Sequence, residues 1–77
     1  MTYEVIKIRL IVWLKNGKKF ETVFEFAIFS DEPKTFPVVI IESEYNSLKF
    51  YVKRSEPELE IPNAKMADLK SCIWEFK

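Results

Sequence analysis

Hydrophobic and polar residues alternate with a period of two through most of the first 29 residues. Within residues 3–14 the even positions are mostly aliphatic, and within residues 18–29 the even positions are again mainly apolar. Side chains that alternate in this way point to opposite faces of a β-strand. The pattern therefore predicts two long strands, each with one apolar face and one mixed face, joined around Asn16-Gly17.

The facing pattern decides the length of the loop between these two strands. A two-residue turn at 16–17 would set Ile8 opposite Glu25, an apolar side chain against a charged one on the same face. A three-residue loop at 15–17 sets Ile8 opposite Phe24 instead. We therefore predict a type I turn followed by a glycine in the left-handed conformation, which makes a β-bulge.

Prolines and polar turns divide the rest of the chain into short elements. These are a loop at 30–37, a strand covered on both faces at 38–41, a turn at 44–46, a strand at 47–54, a short strand at 58–61, about two turns of helix or 3₁₀-helix at 64–70, and a last strand at 71–76. We expect Asn63 to cap the helix. The last strand places Cys72, Trp74 and Phe76 on one side.

The order of these elements predicts one all-β domain over residues 1–77, with a small α+β character at most. We expect a long N-terminal hairpin that leads into a curved five- to six-stranded antiparallel sheet or a partly open barrel. The short strand, helical turn and last strand resemble the ending of small SH3-like barrels. A long hairpin with one helix on a meander is the alternative.

The composition argues against catalysis. The chain has no His, one Cys and one Gly, which excludes histidine-assisted nucleophiles, a zinc site and a glycine-rich phosphate loop. Carboxylates repeat at strand spacing in two groups, Glu42 with Glu44 and Glu56 with Glu58 and Glu60. Such groups suit Ca²⁺ or acid-base chemistry, but a charged edge strand explains them as well. We expect no enzymatic activity, no cofactor and no metal.

Charge and cysteine usage bear on the compartment. Twelve basic and twelve acidic residues cancel, so no overall field attracts nucleic acid or an anionic membrane. The apolar stretch at 1–14 is interrupted by Glu4, Lys7 and Arg9 and is too short to span a bilayer. Cys72 is the single cysteine, which fits a reducing compartment. We expect a cytoplasmic protein without a membrane partner.

The outer face of the hairpin is the first candidate binding surface. It carries more aromatic and aliphatic residues than free exposure to solvent usually allows, so either the rest of the chain covers it or a partner does. A tryptophan beside the basic turn has the character of an interface anchor. The predicted partner-binding residues are Ile11, Trp13, Lys15, Lys19 and Phe29.

The second candidate surface is the stretch 49–54 of the predicted fourth strand. Lys49, Tyr51 and Lys53 share one face, and Arg54 is adjacent. Basic groups that flank an aromatic ring at strand spacing are typical of sheets that stack a nucleic-acid base and hold its phosphates.

These surfaces support two functional hypotheses. The first is a small non-enzymatic protein-binding module that sterically blocks a surface on another protein. Analogy with other compact chains of this size suggests a viral accessory or inhibitor protein, from a phage or another mobile element. Pairing at a free strand edge would also allow a homo-oligomer. The alternative is a small β domain that binds single-stranded nucleic acid.

Overall fold

The computed structural model describes residues 2–30, 38–53, 55 and 58–77, and these form six β-strands and one 3₁₀-helix. The strands are β1 (Tyr3–Leu14), β2 (Lys19–Phe29), β3 (Val39–Glu44), β4 (Ser47–Val52), β5 (Leu59–Pro62) and β6 (Leu69–Phe76), with the 3₁₀-helix at Met66–Asp68. They make two antiparallel sheets, sheet I in the order β2-β1-β6 and sheet II in the order β3-β4-β5. The predicted all-β class, with a helical turn before the last strand, is confirmed.

The β1–β2 hairpin has the predicted register. Ile8 lies opposite Phe24 on the inner face, and Trp13 lies opposite Lys19 on the outer face. Apolar side chains therefore oppose apolar side chains on the face that packs inward. The agreement follows because a shift of one residue would have turned every side chain of one strand to the wrong face.

The hairpin loop contains the predicted glycine bulge. The Gly17 amide donates to the Leu14 carbonyl at 3.0 Å, and the Leu14 amide donates to the Lys18 carbonyl at 2.9 Å. Gly17 has a φ of 91°, a conformation that side-chain-bearing residues adopt at a cost. The Asn16 side chain accepts a further bond from the Lys18 amide at 2.9 Å, which closes the loop.

One apolar core lies between the two sheets. The even-numbered residues of β1 and β4 point into it, together with side chains from β2 and β5. The largest fully buried side chains are Ile8, Leu10, Val12, Phe24, Leu48, Phe50 and Ile61. Each contributes about 1.5–3 kcal/mol of burial free energy, and a domain of this size without an internal disulfide depends on such residues.

Two hydrogen bonds fix sheet I to the segments around it. Ser55 is buried and follows β4, and its hydroxyl donates to the Glu25 carbonyl of β2 at 3.1 Å. The Lys15 amide at the tip of the hairpin donates to the Asp68 carbonyl of the 3₁₀-helix at 2.9 Å. The hairpin is therefore tied near both its tip and its middle.

The helix before β6 is shorter than predicted, and Asn63 does not cap it. Lys65 precedes the 3₁₀-helix, and its amide donates to the Asp68 carboxylate at 2.9 Å. Asn63 has a φ of 57°, and its side-chain oxygen accepts a bond from the Asn46 amide group at 2.8 Å. Asparagine tolerates the left-handed conformation, so this residue makes a turn after β5.

Other boundaries differ by a few residues. β4 ends at Val52 instead of residue 54, and β6 begins at Leu69 instead of residue 71. The strand predicted to be covered on both faces is the edge strand β3, and Val39–Ile41 are only half-buried because β3 has one neighbouring strand. Residues 31–37 of the predicted loop and the break at Glu56-Pro57 lie outside the described residues.

Candidate partner-binding surface

The outer face of sheet I is exposed. The inner face packs on sheet II, so the odd-numbered residues of β1 and β2 point away from the core. On this face Trp13, Val23 and Ile73 are 37%, 36% and 55% exposed. The sequence left open whether the rest of the chain or a partner covers this face. The described strands do not cover it, because they pack on the opposite face.

One cluster of apolar residues lies near the hairpin turn. Ile11 pairs with Ile73 across β1 and β6, and Trp13 is the next residue of β1 on the same face. Val23 lies opposite Arg9 in β2, which places it diagonally across from Ile11. We call Ile11, Trp13, Val23 and Ile73 the turn-proximal patch.

Lysines border this patch at its turn end, and Lys19 is the one that contacts Trp13. Its ammonium nitrogen lies 5.3 Å from the centre of the Trp13 ring and 3.4 Å from a carboxylate oxygen of Glu21. A cation over the face of an indole is attracted by the negative charge of the ring face. Lys15 and Lys18 are exposed in the adjoining loop, so the border of the patch nearest the turn is basic.

Phe29 belongs to a different cluster. It pairs with Tyr3 at the other end of the hairpin, where the two ring centres are 6.0 Å apart. At 3.4 Å per residue, Phe29 is about 34 Å along β2 from Lys19. We call Tyr3, Val5, Ala27 and Phe29 the distal patch. The Arg9–Glu75 ion pair, at 3.6 Å, lies between the two patches.

The predicted partner-binding residues are thus only partly brought together. Ile11, Trp13, Lys15 and Lys19 lie at the turn end of sheet I, whereas Phe29 lies at the far end. Sequence reasoning did not assign Ile73 to the site, because its membership depends on β6 pairing with β1. The alternation within residues 71–76 separated Ile73 from Cys72 and Trp74 but did not reveal which strand β6 would join.

The second candidate surface is surrounded by carboxylates. The Lys49 ammonium lies 3.6 Å from a carboxylate oxygen of Glu44 and 3.7 Å from one of Glu58. The Tyr51 hydroxyl donates to Glu42 Oε1 at 2.7 Å. The negative charge of Glu44, and then that of Glu58, raises the pKa of Lys49. The hydrogen bond to Glu42, together with desolvation, raises the pKa of Tyr51.

These contacts leave little positive charge on this surface for a nucleic-acid phosphate to bind. A phosphate approaching Lys49 would meet the two carboxylates that already neutralise it. Lys53 is exposed in the turn after β4, and Arg54 lies outside the described residues.

The carboxylates and Cys72 are the remaining groups that could bind a metal or react. Among residues 2–30, 38–53, 55 and 58–77, no group of three or more His, Cys, Asp or Glu side chains is arranged to hold a metal ion. Cys72 is half-buried opposite Val12, and burial raises the pKa of its thiol. A protonated thiol is a poor nucleophile. Glu56, one of the predicted carboxylate group, lies outside the described residues.

Two further observations bear on function. In the part of the chain that the structure describes, no helix has the length and apolar character needed to cross a bilayer. Comparison of the chain with known protein families, curated proteins and solved structures finds no match. The functional argument therefore rests on the geometry, exposure and charge of the surfaces themselves.

Proposed function

We propose that this chain is a small non-enzymatic protein-binding module that occupies a surface on another protein through its turn-proximal patch. The observation that carries the proposal is Trp13, which is 37% exposed on the outer face of sheet I. Tryptophan is enriched among the residues that dominate binding energy at interfaces. A side chain already held by a sheet and by Lys19 loses less conformational freedom on binding.

The charges around Trp13 indicate the chemistry of the partner. Lys15, Lys18 and Lys19 surround the turn end of the patch, and Ile11 and Ile73 continue it along the sheet. The complementary surface has an apolar pocket for the indole, bordered by acidic side chains. Association with such a surface is accelerated by electrostatic steering and slows as the salt concentration rises.

The proposed mode of action is steric. The chain supplies an exposed apolar face bordered by lysines, so its effect on a partner comes from covering a surface that the partner uses. Analogy with other small chains of this type supports an accessory or inhibitor protein of a phage or another mobile element, acting in the cytoplasm. The carboxylates around Lys49 and Tyr51 weigh against the nucleic-acid alternative.

The test is affinity capture from extracts of the source cells with three baits: wild type, Trp13→Ala and Tyr45→Ala. Tyr45 is fully exposed at the β3–β4 turn, so its replacement removes an aromatic ring from a different surface. We expect the Trp13 variant to lose the protein that wild type and the Tyr45 variant both retain. Amide NMR spectra establish that both variants are folded. Capture unaffected by Trp13→Ala would overturn the proposed anchor.

A further inference from the structure

β6 is an edge strand of sheet I with exposed apolar side chains on both of its faces. It pairs with β1 on one side and, among the described strands, with none on the other. Trp74 and Phe76 share a face with the core and are 38% and 57% exposed, and Ile73 on the opposite face is 55% exposed. Soluble proteins usually protect a free edge with charge, proline or a covering segment. A second strand added to this edge would shield all three side chains from water on one side.

The other strand edges have such protection in the described residues. Ser55 bonds to the Glu25 carbonyl on the outer edge of β2. β5 contains Glu60 and Pro62, and β3 ends with charge at Glu44. In β6 the charges are at Lys70 and Glu75, and the stretch 72–74 between them has neither charge nor proline.

The backbone groups directed at the free edge of β6 follow from its bonds to β1. The Lys77 amide donates to the Lys7 carbonyl at 2.9 Å, just beyond the end of β6. Residues of a strand alternate in the side to which they direct their amide and carbonyl. The odd-numbered residues therefore face β1, and the even-numbered residues, including Cys72 and Trp74, direct theirs outward.

We propose that β6 pairs with β6 of a second copy of this chain, antiparallel about a two-fold axis at Ile73. In this register Ile73 lies opposite Ile73 of the second copy on the outer face, and Cys72 lies opposite Trp74 on the inner face. Ser71 lies opposite Glu75. The two sheets I then become one six-stranded sheet, and the two turn-proximal patches join across the axis.

The strand is self-complementary in this register. The outward-directed amide and carbonyl groups of even-numbered residues meet their counterparts, which a shift of one residue would prevent. A shift of two residues, centred on Cys72, would set Ser71 opposite Ile73 beside the axis, polar against apolar, whereas the register at Ile73 has its polar-apolar pair, Lys70 and Phe76, farther from the axis. The register at Ile73 opposes no like charges, and the formal net charge of zero leaves no overall repulsion between copies.

The chemistry of the edge favours a second copy over an unrelated strand. The Trp74 and Phe76 rings already meet edge to face, with centres 5.4 Å apart. The two-fold axis brings the same pair from the other copy to the same inner surface, where aromatic groups pack well. The two-fold axis uses the same edge of both copies, so the pairing closes as a dimer instead of extending into a fibre.

The first test is disulfide trapping with Ile73→Cys in a Cys72→Ser background. Opposed residues that do not exchange hydrogen bonds have Cα atoms about 4.5 Å apart, within the range that a disulfide spans. We expect mild oxidation to convert this variant to a covalent dimer. The matched control, Val23→Cys in the same background, has an exposed position on the same face of β2 and should remain a monomer.

Three results would overturn the proposal. These are the absence of a dimer with Ile73→Cys, equal trapping with Val23→Cys, which indicates random collision, and preferential trapping of wild type through Cys72, which indicates the shifted register.

The second test measures the mass of the unmodified chain by sedimentation equilibrium. We expect a concentration-dependent dimer with a dissociation constant below about 1 mM. The double variant Ile73→Lys, Phe76→Lys should be a monomer whose amide NMR spectrum is that of a folded protein. A wild-type monomer throughout this range would overturn the proposal. Trp13→Ala should leave the dimer unchanged, so failure of this interface is distinguishable from failure of the partner-binding surface.

Discussion

Trp13 and Lys19 lie directly opposite each other across the β1–β2 hairpin, with the Lys19 ammonium 5.3 Å from the centre of the indole ring. The contact exists because the hairpin loop has three residues, which puts both side chains on the outer face. The same register points the neighbouring Val12 into the core. The length of one loop therefore decides which residue beside the turn is available to a partner.

The Trp13–Lys19 contact should contribute measurably to stability. In a double-mutant cycle with Trp13→Leu and Lys19→Gln, we expect a coupling free energy of about 0.5–1 kcal/mol, as is typical of exposed cation–π pairs. Chemical denaturation of the four proteins gives the value. Lys18→Gln, which removes a neighbouring exposed lysine, is the control and should show no coupling to Trp13. Equal coupling for both lysines would mean that the effect is a general one of charge.

Gly17→Ala should lower the free energy of unfolding by about 1–2 kcal/mol because an L-residue is strained at positive φ. No atom lies within 4 Å of the position that a Cβ would occupy at Gly17, so the loss reflects backbone strain and not a clash. Chemical synthesis with D-alanine at position 17 supplies the control, since the mirror-image residue favours positive φ. If the D-alanine protein were as destabilised as Gly17→Ala, the strain argument would be wrong.

Tyr51 should ionise at a higher pH than an ordinary tyrosine, whose pKa is about 10. Its hydrogen bond to Glu42 favours the neutral phenol and raises its pKa. We expect Glu42→Gln to lower that pKa, as followed by phenolate absorbance, and Tyr51→Phe to remove the last phase of the titration. An absorbance curve unchanged by Glu42→Gln would contradict this assignment.

The same shift links stability to pH. Because the pKa of Tyr51 is raised in the folded state, its contribution is fully present below pH about 10 and is lost as the pH rises through the raised value. Wild type should therefore lose stability relative to Tyr51→Phe in alkaline solution. Denaturant unfolding of both proteins at a series of pH values provides the measurement.

The β4 surface should not bind single-stranded oligonucleotides appreciably, because Glu44 and Glu58 already neutralise Lys49. We expect the amide NMR signals of residues 48–53 to stay in place when an oligonucleotide is added at low salt. The double variant Glu44→Gln, Glu58→Gln should bind more strongly than wild type. Shifts in the wild-type signals, with an affinity that falls steeply as salt is added, would instead favour the nucleic-acid hypothesis.

The hairpin could be predicted from sequence because its information is local. Alternation on both sides of Gly17 allows one register in which Ile8 meets Phe24, and every other pair of the hairpin follows from that one. The length of the 3₁₀-helix was overestimated because local signals alone were ambiguous there. Local signals around Asn63 are those of both a helix cap and a left-handed turn, and its bond to Asn46 in the β3–β4 turn selects the turn.

The amino-acid sequence by itself determined the strand periods, the hairpin register and the scarcity of catalytic groups, since each depends on side chains close together in the chain. The tertiary structure alone decided that β6 pairs with β1, that Ile73 joins Trp13 while Phe29 lies far away, and that carboxylates surround Lys49. Strand partners distant in sequence are chosen by the balance of apolar burial against loop-closure entropy. Alternation within one strand contains no record of that choice, because several strands of this chain present equally apolar faces.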